Sequence, residues 1–331
     1  MARFASIIGR SVLALLLVAA SAWGLLALGY RLDTGAPLRG IAQALWLSAF
    51  ALALWALVRR RPLLLLPYVA AGIALIAWWS ALEPRNDRDW APDVARTLTA
   101  RIDGHVAHLA DVRNFDWRSD SDATERWEDR TYDLDTIEAV DLINSYWAGP
   151  AIAHTLVSFG FADGSHIAFS VEVRRKRGEV YSELSGFFKV NELVVIGADE
   201  RDIVRVRSNV RGEDVQLFHV KVTPQQAREM FLEVLAEAND LAATPRFYNT
   251  LTANCTTVLF RLARRLAPSL PLDWRIVLTG YLPDYAYDHG LLDRDVSLAE
   301  LRERGRITAR ARAADASPDF SRLIRIGVPG P

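Results

Sequence analysis

Cysteine is almost absent from this 331-residue chain. Cys255 is the only one, so no disulfide can form within the chain, and metal centres built on paired cysteines are excluded. A lone cysteine accompanied by histidines is either a small buried hydrophobe or a nucleophile. In an exported domain a free thiol is also open to oxidation. An excess of charge is missing as well: 39 Lys and Arg stand against 40 Asp and Glu, a formal net charge of −1. That balance leaves no electrostatic footprint for nucleic acid. The chain has no internal repeat and no low-complexity tract. His105 and His108, three apart, would share a helix face but lack further ligands, so neither a metal nor another cofactor is expected.

Long apolar runs are confined to the first quarter of the chain, at residues 11–30, 40–58 and 62–82. Each is long enough to cross a bilayer as a helix rising about 1.5 Å per residue. Trp78 and Trp79 fall where an interfacial aromatic belt is expected. Arg3 and Arg10 precede the first run and Arg59, Arg60 and Arg61 fill the second connection. Short-loop basic residues stay in the cytoplasm, so the chain leaves the cytoplasmic membrane after the third run. Arg31 and Arg39 against Asp33 in the first connection obey the rule less well. Ala20-Ser21-Ala22 also resembles a signal-peptide cleavage site, and loss of the first run would leave the soluble part on the same side. No Asp, Glu, Lys, Arg or His interrupts the runs, which therefore read as an anchor and not as a transport path. The expected organisation is a transmembrane anchor over 1–85 and an extracytoplasmic domain over 86–331, multi-pass in the inner membrane of a bacterium.

The soluble part reads as α+β. Residues 83–90 are a charged linker, 93–110 have helical spacing of apolar residues, and 113–132 are rich in charge and Trp without a clear period. From about residue 150 the pattern turns to β. Segments 152–161 and 166–173 flank Ala162-Asp163-Gly164, a three-residue hairpin loop with Gly164 in the left-handed position of a G1 bulge. Segments 193–196, 203–206 and 215–222 read as further strands. Thr223 caps a helix opened by Pro224 that runs to about 241 and breaks at Thr244-Pro245. A second helix begins near Asn254 and reaches about 266, with Val258, Leu259, Leu262 and Leu266 on its apolar face. Loops and short helices follow from Pro268.

Cys255 therefore opens a predicted helix, where unpaired N–H groups and the helix dipole stabilise a thiolate and can hold an oxyanion. A base must accompany it. In the bulged hairpin Phe161 pairs with Ser165, which sets His154 opposite Glu172, with Ser170 diagonal on the same face. A carboxylate across from an imidazole orients and charges a catalytic base, although an ordinary cross-strand pair looks the same in sequence. A two-residue turn would instead send Glu172 to the other face. His166, on the face of His154, is the rival orienter. His219 and His289 have no recognisable partners and read as structural. Arg174, Arg175, Lys176 and Arg177 form a basic run that reads as a solvated face. Within it, Arg174 is in register with Glu172, where it could hold an anionic headgroup or the carboxylate. Tyr248, seven residues before Cys255, is a candidate oxyanion donor.

Several segments together resemble the Lnb-type N-terminal periplasmic domain family: Ile152-Ala-His-Thr-Leu-Val-Ser-Phe, Phe169-Ser-Val-Glu-Val-Arg-Arg, Glu200-Arg-Asp-Ile-Val-Arg-Val-Arg, Arg211-Gly-Glu-Asp-Val, Tyr248-Asn-Thr-Leu-Thr-Ala-Asn-Cys-Thr-Thr and Leu278-Thr-Gly-Tyr-Leu-Pro. The resemblance covers roughly residues 130–295. It implies a lipoprotein transacylase, which moves an acyl chain from the diacylglyceryl group to the amino group of the lipid-bearing N-terminal cysteine. It also implies His154 as base and Cys255 as nucleophile. The order His-strand then Cys-helix is similar to circularly permuted papain-like folds, whose lecithin:retinol acyltransferase-like members carry a pair like Asn254-Cys255. The expectation is a membrane-anchored cysteine acyltransferase or acyl hydrolase acting through a Cys255 thioester on lipid or lipoprotein. The alternatives are an NlpC-type amidase or peptidase on cell-wall peptide, or a tethered module that only binds.

Overall fold

The computed structural model describes residues 2–32, 35–180, 182–315 and 317–330. Asp33, part of the charge argument for the first connection, and the side chain of Leu266 lie outside the described residues. The chain divides into two compact units. One comprises residues 1–84 with 182–190, and the other 85–181 with 191–331. The first unit thus includes a segment from the second half of the chain.

The first unit holds three apolar helices: α1 (Ala2–Arg31), α2 (Ala36–Arg59) and α3 (Leu66–Ser80), the last led in by the turn Pro62–Leu65. Ile8–Arg31, Ala36–Arg59 and Pro62–Ser80 are long and apolar enough to cross a membrane. Their outer faces stay bare, with Leu15 and Leu45 exposed, as lipid-facing side chains would be. Between the helices, Trp46 stacks on Tyr68, the Tyr68 hydroxyl meets Ser21 Oγ at 2.7 Å, and Trp46 Nε1 donates to the Ser21 carbonyl at 2.9 Å. A Cβ at Gly24 would stand 2.6 Å from the Trp46 ring, so this close packing needs glycine. Phe188 and Val190 pack with Ala27, Trp23 and Trp79, and Lys189 Nζ donates to the Trp79 carbonyl at 2.9 Å.

The second unit is α+β. Its strands are β1 (Thr99–Asp103), β2 (Val106–Arg113), β3 (Asp116–Ser119), β4 (Asp122–Thr124), β5 (Trp127–Asp133), β6 (Ile137–Tyr146), β7 (Ala153–Phe161), β8 (His166–Arg174), β9 (Glu192–Ala198) and β10 (Asp214–His219). The main sheet runs β1-β2-β9-β8-β7-β6-β10 with β5 on β2, and β3-β4 form a separate hairpin. The pairings are antiparallel except at β2–β9. The helices are α4 (Glu200–Arg205), α5 (Pro224–Ala243), α6 (Cys255–Leu266), α7 (Leu282–Asp288), α8 (Leu298–Gly305), α9 (Thr308–Ala313) and α10 (Phe320–Arg325).

Period-2 alternation splits the central strands between two cores. Val157, Phe159, Phe169, Val171 and Val195 face α5 and α6, meeting Phe231, Val234, Val258 and Leu262. Leu156, Ala168, Val194 and Ile196 face the other way, meeting Ile203, Ile307 and Ile324. Each such fully buried side chain contributes about 1.5–3 kcal/mol. Thr223 and Gln226 form a reciprocal capping box on α5, which ends at Ala243 just before Thr244-Pro245.

Three sequence expectations are corrected here. Residues 93–110 are not a helix: after a turn at Pro92–Val94 they form β1 and the start of β2, joined at Gly104 with φ +61°. The apolar positions fit both periods, and the left-handed turn decides for a hairpin. His105 therefore lies in the turn and His108 on β2. Residues 113–132, without visible period, hold β3, β4 and most of β5. Residues 203–206 are helical: Asp199 accepts from Arg201 N at 2.9 Å and opens α4, which passes into a π-helical turn at Val206–Val210. Here the cap and burial on the α10 side override β-branched propensity.

Candidate active site

The site starts from the β7–β8 hairpin. Gly164 has φ +82°, Phe161 N donates to Ser165 O at 3.0 Å, and Leu156 pairs with Ser170. That is the bulged register, and it places Glu172 within reach of His154, Oε1 to Nε2 3.2 Å. Ser170 stands between them. His154 Nε2 lies 2.6 Å from Ser170 Oγ, which donates to Glu172 Oε1 at 2.7 Å. An Nε2–H feeding this chain leaves Nδ1 as the basic nitrogen of the neutral ring. His166, the rival orienter, is remote from this cluster in hydrogen bonding, with its Nδ1 3.0 Å from the Gly164 carbonyl.

Cys255 is the first residue of α6. The loop before it is tied by Asn249, whose side chain accepts from Leu251 N and Thr252 N, and by reciprocal backbone bonds with Ala253. Asn254 accepts from Thr256 N and Thr257 N at 3.1 and 2.8 Å and donates to Thr250 O at 2.7 Å. Both ends of its amide are committed to the cap, so its role is to set the helix start and not to hold an oxyanion directly. The thiol and the His154 ring line one cleft, and the thiol feels the ring's charge.

The charges follow from this arrangement. Burial pushes the Cys255 thiol up, but His154 outweighs it and the net shift is downward. Burial pulls His154 down, while Glu172 and Cys255 raise it, and the ring is pushed up to about 9. Burial also raises Glu172, yet His154 and Arg207 hold it well below the usual carboxylate range. Both shifts, the thiol down and the imidazole up, run in the direction of a thiolate–imidazolium pair.

Arg207 was not visible as a site residue from sequence. It sits in the π-helical turn, buried, and donates to Glu172 Oε1 at 2.7 Å and to Ile203 O at 2.9 Å. The signal was its position in the Glu200–Arg207 segment, obscured by reading that segment as a strand. Arg174, expected near Glu172, points elsewhere. It donates to the carbonyls of Val94 and Ala95 and to Asn86 Oδ1, and lies over the Trp90 ring. Its guanidinium tethers the segment before β1, and the carboxylate's cation is Arg207 instead. Burial pushes Arg174 down to about 10, still charged at neutral pH.

The Leu278-Thr-Gly-Tyr-Leu-Pro segment has a physical role too. Thr279 Oγ1 bonds Ala153 N and the Ala153 carbonyl, immediately before His154, and Gly280 N donates to Ala151 O. A Cβ at Gly280 would stand 2.1 Å from the Pro150 carbonyl, so only glycine permits the clamp.

The thiol opens on a cleft of about 340 Å³ whose lining includes His154, Glu172, Tyr248, Trp117, Trp147 and Arg211. Tyr248 is buried in this wall. The cleft's arginines are matched by carboxylates: Arg175 with Asp93 at 3.0 Å, Arg211 with Asp120 at 2.5 Å and Arg113 with Asp202 at 2.8 Å. On the far side of Cys255 lies an apolar chamber of about 120 Å³ between the sheet, α5, α6 and α7.

His219 also departs from expectation, since it has a partner. Its Nδ1 lies 2.5 Å from Asp141 Oδ1, and Arg325 bridges Asp141 and Glu200. His289 stacks against Tyr285 at 4.3 Å. Among the described residues no group of three or more His, Cys, Asp or Glu could hold a metal.

Residues 123–280 match the Lnb N-terminal periplasmic domain, and the soluble unit carries a domain of that family. With three helices able to span a bilayer, the protein is a membrane protein with a periplasmic domain. No curated protein and no solved structure matches the chain.

Proposed function

We propose that this protein is a thiol-dependent acyltransferase or acyl hydrolase, anchored by several spans in the bacterial inner membrane and acting on lipid or lipoprotein at its periplasmic face. The observation that carries the reading is the linked chain His154–Ser170–Glu172–Arg207, with the Cys255 thiol at a capped helix start lining the same cleft. The strand-borne histidine preceding the helix-borne cysteine also fits a circularly permuted papain-like arrangement. The anchor supports a lipid substrate, because it confines enzyme and substrate to one surface.

The Cys255 thiolate attacks an ester carbonyl, and the Cys255 N–H at the unpaired helix end, with Tyr248 as a second donor, steadies the oxyanion. The C–O bond breaks, His154 gives its proton to the departing alkoxide, and a thioester remains. An amine or water then attacks, His154 takes the incoming proton, and the thiolate is restored. The charged cleft specifically favours a second reading, an amidase or peptidase of NlpC type on cell-wall peptide, because alternating Arg and Asp side chains suit a polar chain. Mass analysis of lipoprotein N-termini from a deletion strain tests the lead reading. Altered acylation restored by the wild-type gene but not by Cys255→Ala supports it. Unaltered lipoproteins with altered cell-wall peptides move the assignment to the second. Complementation by Cys255→Ala leaves a tethered binding module.

A further inference from the structure

We propose that the apolar chamber beside Cys255 is the acyl-chain pocket of that site, receiving the carbons next to the reacting carbonyl. The inference rests on the acyl-enzyme reading and specifies its substrate as a linear acyl group. Leu142 and Val157 of the sheet, Val234 of α5, Leu259 and Ala263 of α6 and Ala286 of α7 represent its walls. The polar groups on the wall are already used: Tyr285 donates its hydroxyl to Pro271 O at 3.0 Å, and Thr256 Oγ1 donates to Thr155 Oγ1 at 3.3 Å. A peptide entering here would leave its N–H and C=O groups without partners, whereas an alkyl chain has none to satisfy.

Position ties the chamber to the thiol. Thr256 lines it and follows Cys255, and its Oγ1 lies 3.7 Å from Cys255 Sγ. The Thr155–Thr256 contact is the partition between thiol and chamber. A helical threonine commonly occupies either of two χ1 rotamers, so a turn of Thr256 opens the way without moving the backbone. From Thr256 to Ala263 the chamber follows α6 for roughly 10 Å at the helical rise. A cavity of roughly 150 Å³ accepts benzene, so about 120 Å³ suits a chain of about six carbons.

The test uses the full-length protein in nanodiscs and its single cysteine. Alkyl methanethiosulfonates transfer an alkylthio group to Cys255, forming a mixed disulfide as the S–SO2 bond breaks and methanesulfinate leaves, so intact mass reads chain-length preference without needing turnover. Nitrophenyl esters from acetyl to dodecanoyl read it with turnover. Hexyl and hexanoyl reagents are expected to outpace methyl and acetyl by roughly tenfold or more. Ala263→Phe, which fills the far end, should erase that advantage. Met230→Ala, which widens the chamber, should shift the optimum to longer chains and provides a second variant if the first misfolds. A chain-length preference with thiosulfonates but no turnover of any ester would uphold the chamber and end the acyl-enzyme reading. Ester turnover indifferent to chain length, in wild type and both variants, would overturn the chamber and leave that reading standing.

Discussion

The soluble unit contains two histidine–carboxylate–arginine clusters, and only one has a thiol. His154 at the start of β7, Glu172 on β8 and Arg207 in the π-helical turn meet beside a cleft that Cys255 also lines. His219, Asp141 and Arg325 join β10, β6 and α10, with Glu200 and Ser158 extending the network into the sheet. Asp141 and Glu200 are fully buried, and burial, which would raise Asp141, is outweighed by Arg325 and His219. Arg325 likewise holds Glu200 down at about 2. The ionic pattern is therefore the same, and what separates a candidate active site from a structural latch is the reactive atom and the space in front of it.

The largest effect that separates the two is on turnover of an acyl ester. Cys255→Ala and His154→Ala should each lower it by about 10⁴-fold or more, with melting temperatures near wild type for Cys255→Ala, since only a sulfur is removed. His219→Gln should leave turnover unchanged. An active Cys255→Ala protein, or an inactive but folded His219→Gln protein, would reverse the assignment of the two clusters.

Neutralising each carboxylate sharpens the contrast. Glu172→Gln should reduce turnover by up to about 10⁴-fold, as loss of the orienting carboxylate does in a serine triad. Asp141→Asn should spare turnover yet destabilise the fold by about 3–5 kcal/mol, because Arg325 loses a buried partner. Paired denaturation and rate measurements on the two variants check both signs.

The pH response belongs to the first cluster. His154 is raised to about 9, so its charged form supports the fold fully below the ordinary histidine value, and that support is lost as pH rises through about 9. Turnover, which needs the imidazolium proton, should decline over the same alkaline range. Glu172 is lowered, so its contribution is present above the ordinary carboxylate range and is lost as pH falls through its depressed value. In Glu172→Gln the ring loses its main raising charge. The alkaline limb should move to lower pH, and alkylation of Cys255 by iodoacetamide should begin at higher pH. Unmoved limbs would remove Glu172 from the site.

Smaller effects concern the supports. Gly280→Ala forces a Cβ against the Pro150 carbonyl and should cost about 1–3 kcal/mol by the measure of overpacking, lowering activity through the Ala153–His154 backbone. Asn254→Ala removes a helix cap and should cost about 1 kcal/mol. Chemical denaturation of each variant gives the ranking, which would fail if the cap proved the more expensive loss.

Much of the first cluster was legible in sequence because local rules fixed it. Gly164 set a bulged loop, the loop set the register, and the register set His154, Ser170 and Glu172 on one face. Asn254 and the apolar spacing at Val258 and Leu262 set the start of α6. Arg207 and the Asp141–Arg325 latch were hidden because tertiary packing chose them. The 203–206 segment has strand-like residues but is bent into α4 and a π-turn, and Arg325 lies 184 positions from Asp141. Strands β1 to β6 were missed for a related reason: their burial is partial and interrupted, as on β2, where pairing shifts at a bulge between Leu109 and Val112, so no clean period survives. The three apolar helices needed only length and composition.

The central claim is that Cys255, and not the other histidine cluster, carries covalent chemistry. The most direct measurement is intact-protein mass after brief exposure to an acyl ester, quenched in acid, with and without hydroxylamine. The account predicts one acyl adduct on Cys255 that hydroxylamine removes, lost in Cys255→Ala and His154→Ala and retained in His219→Gln. No adduct on wild type under conditions of turnover, or an adduct that survives in Cys255→Ala, would contradict it.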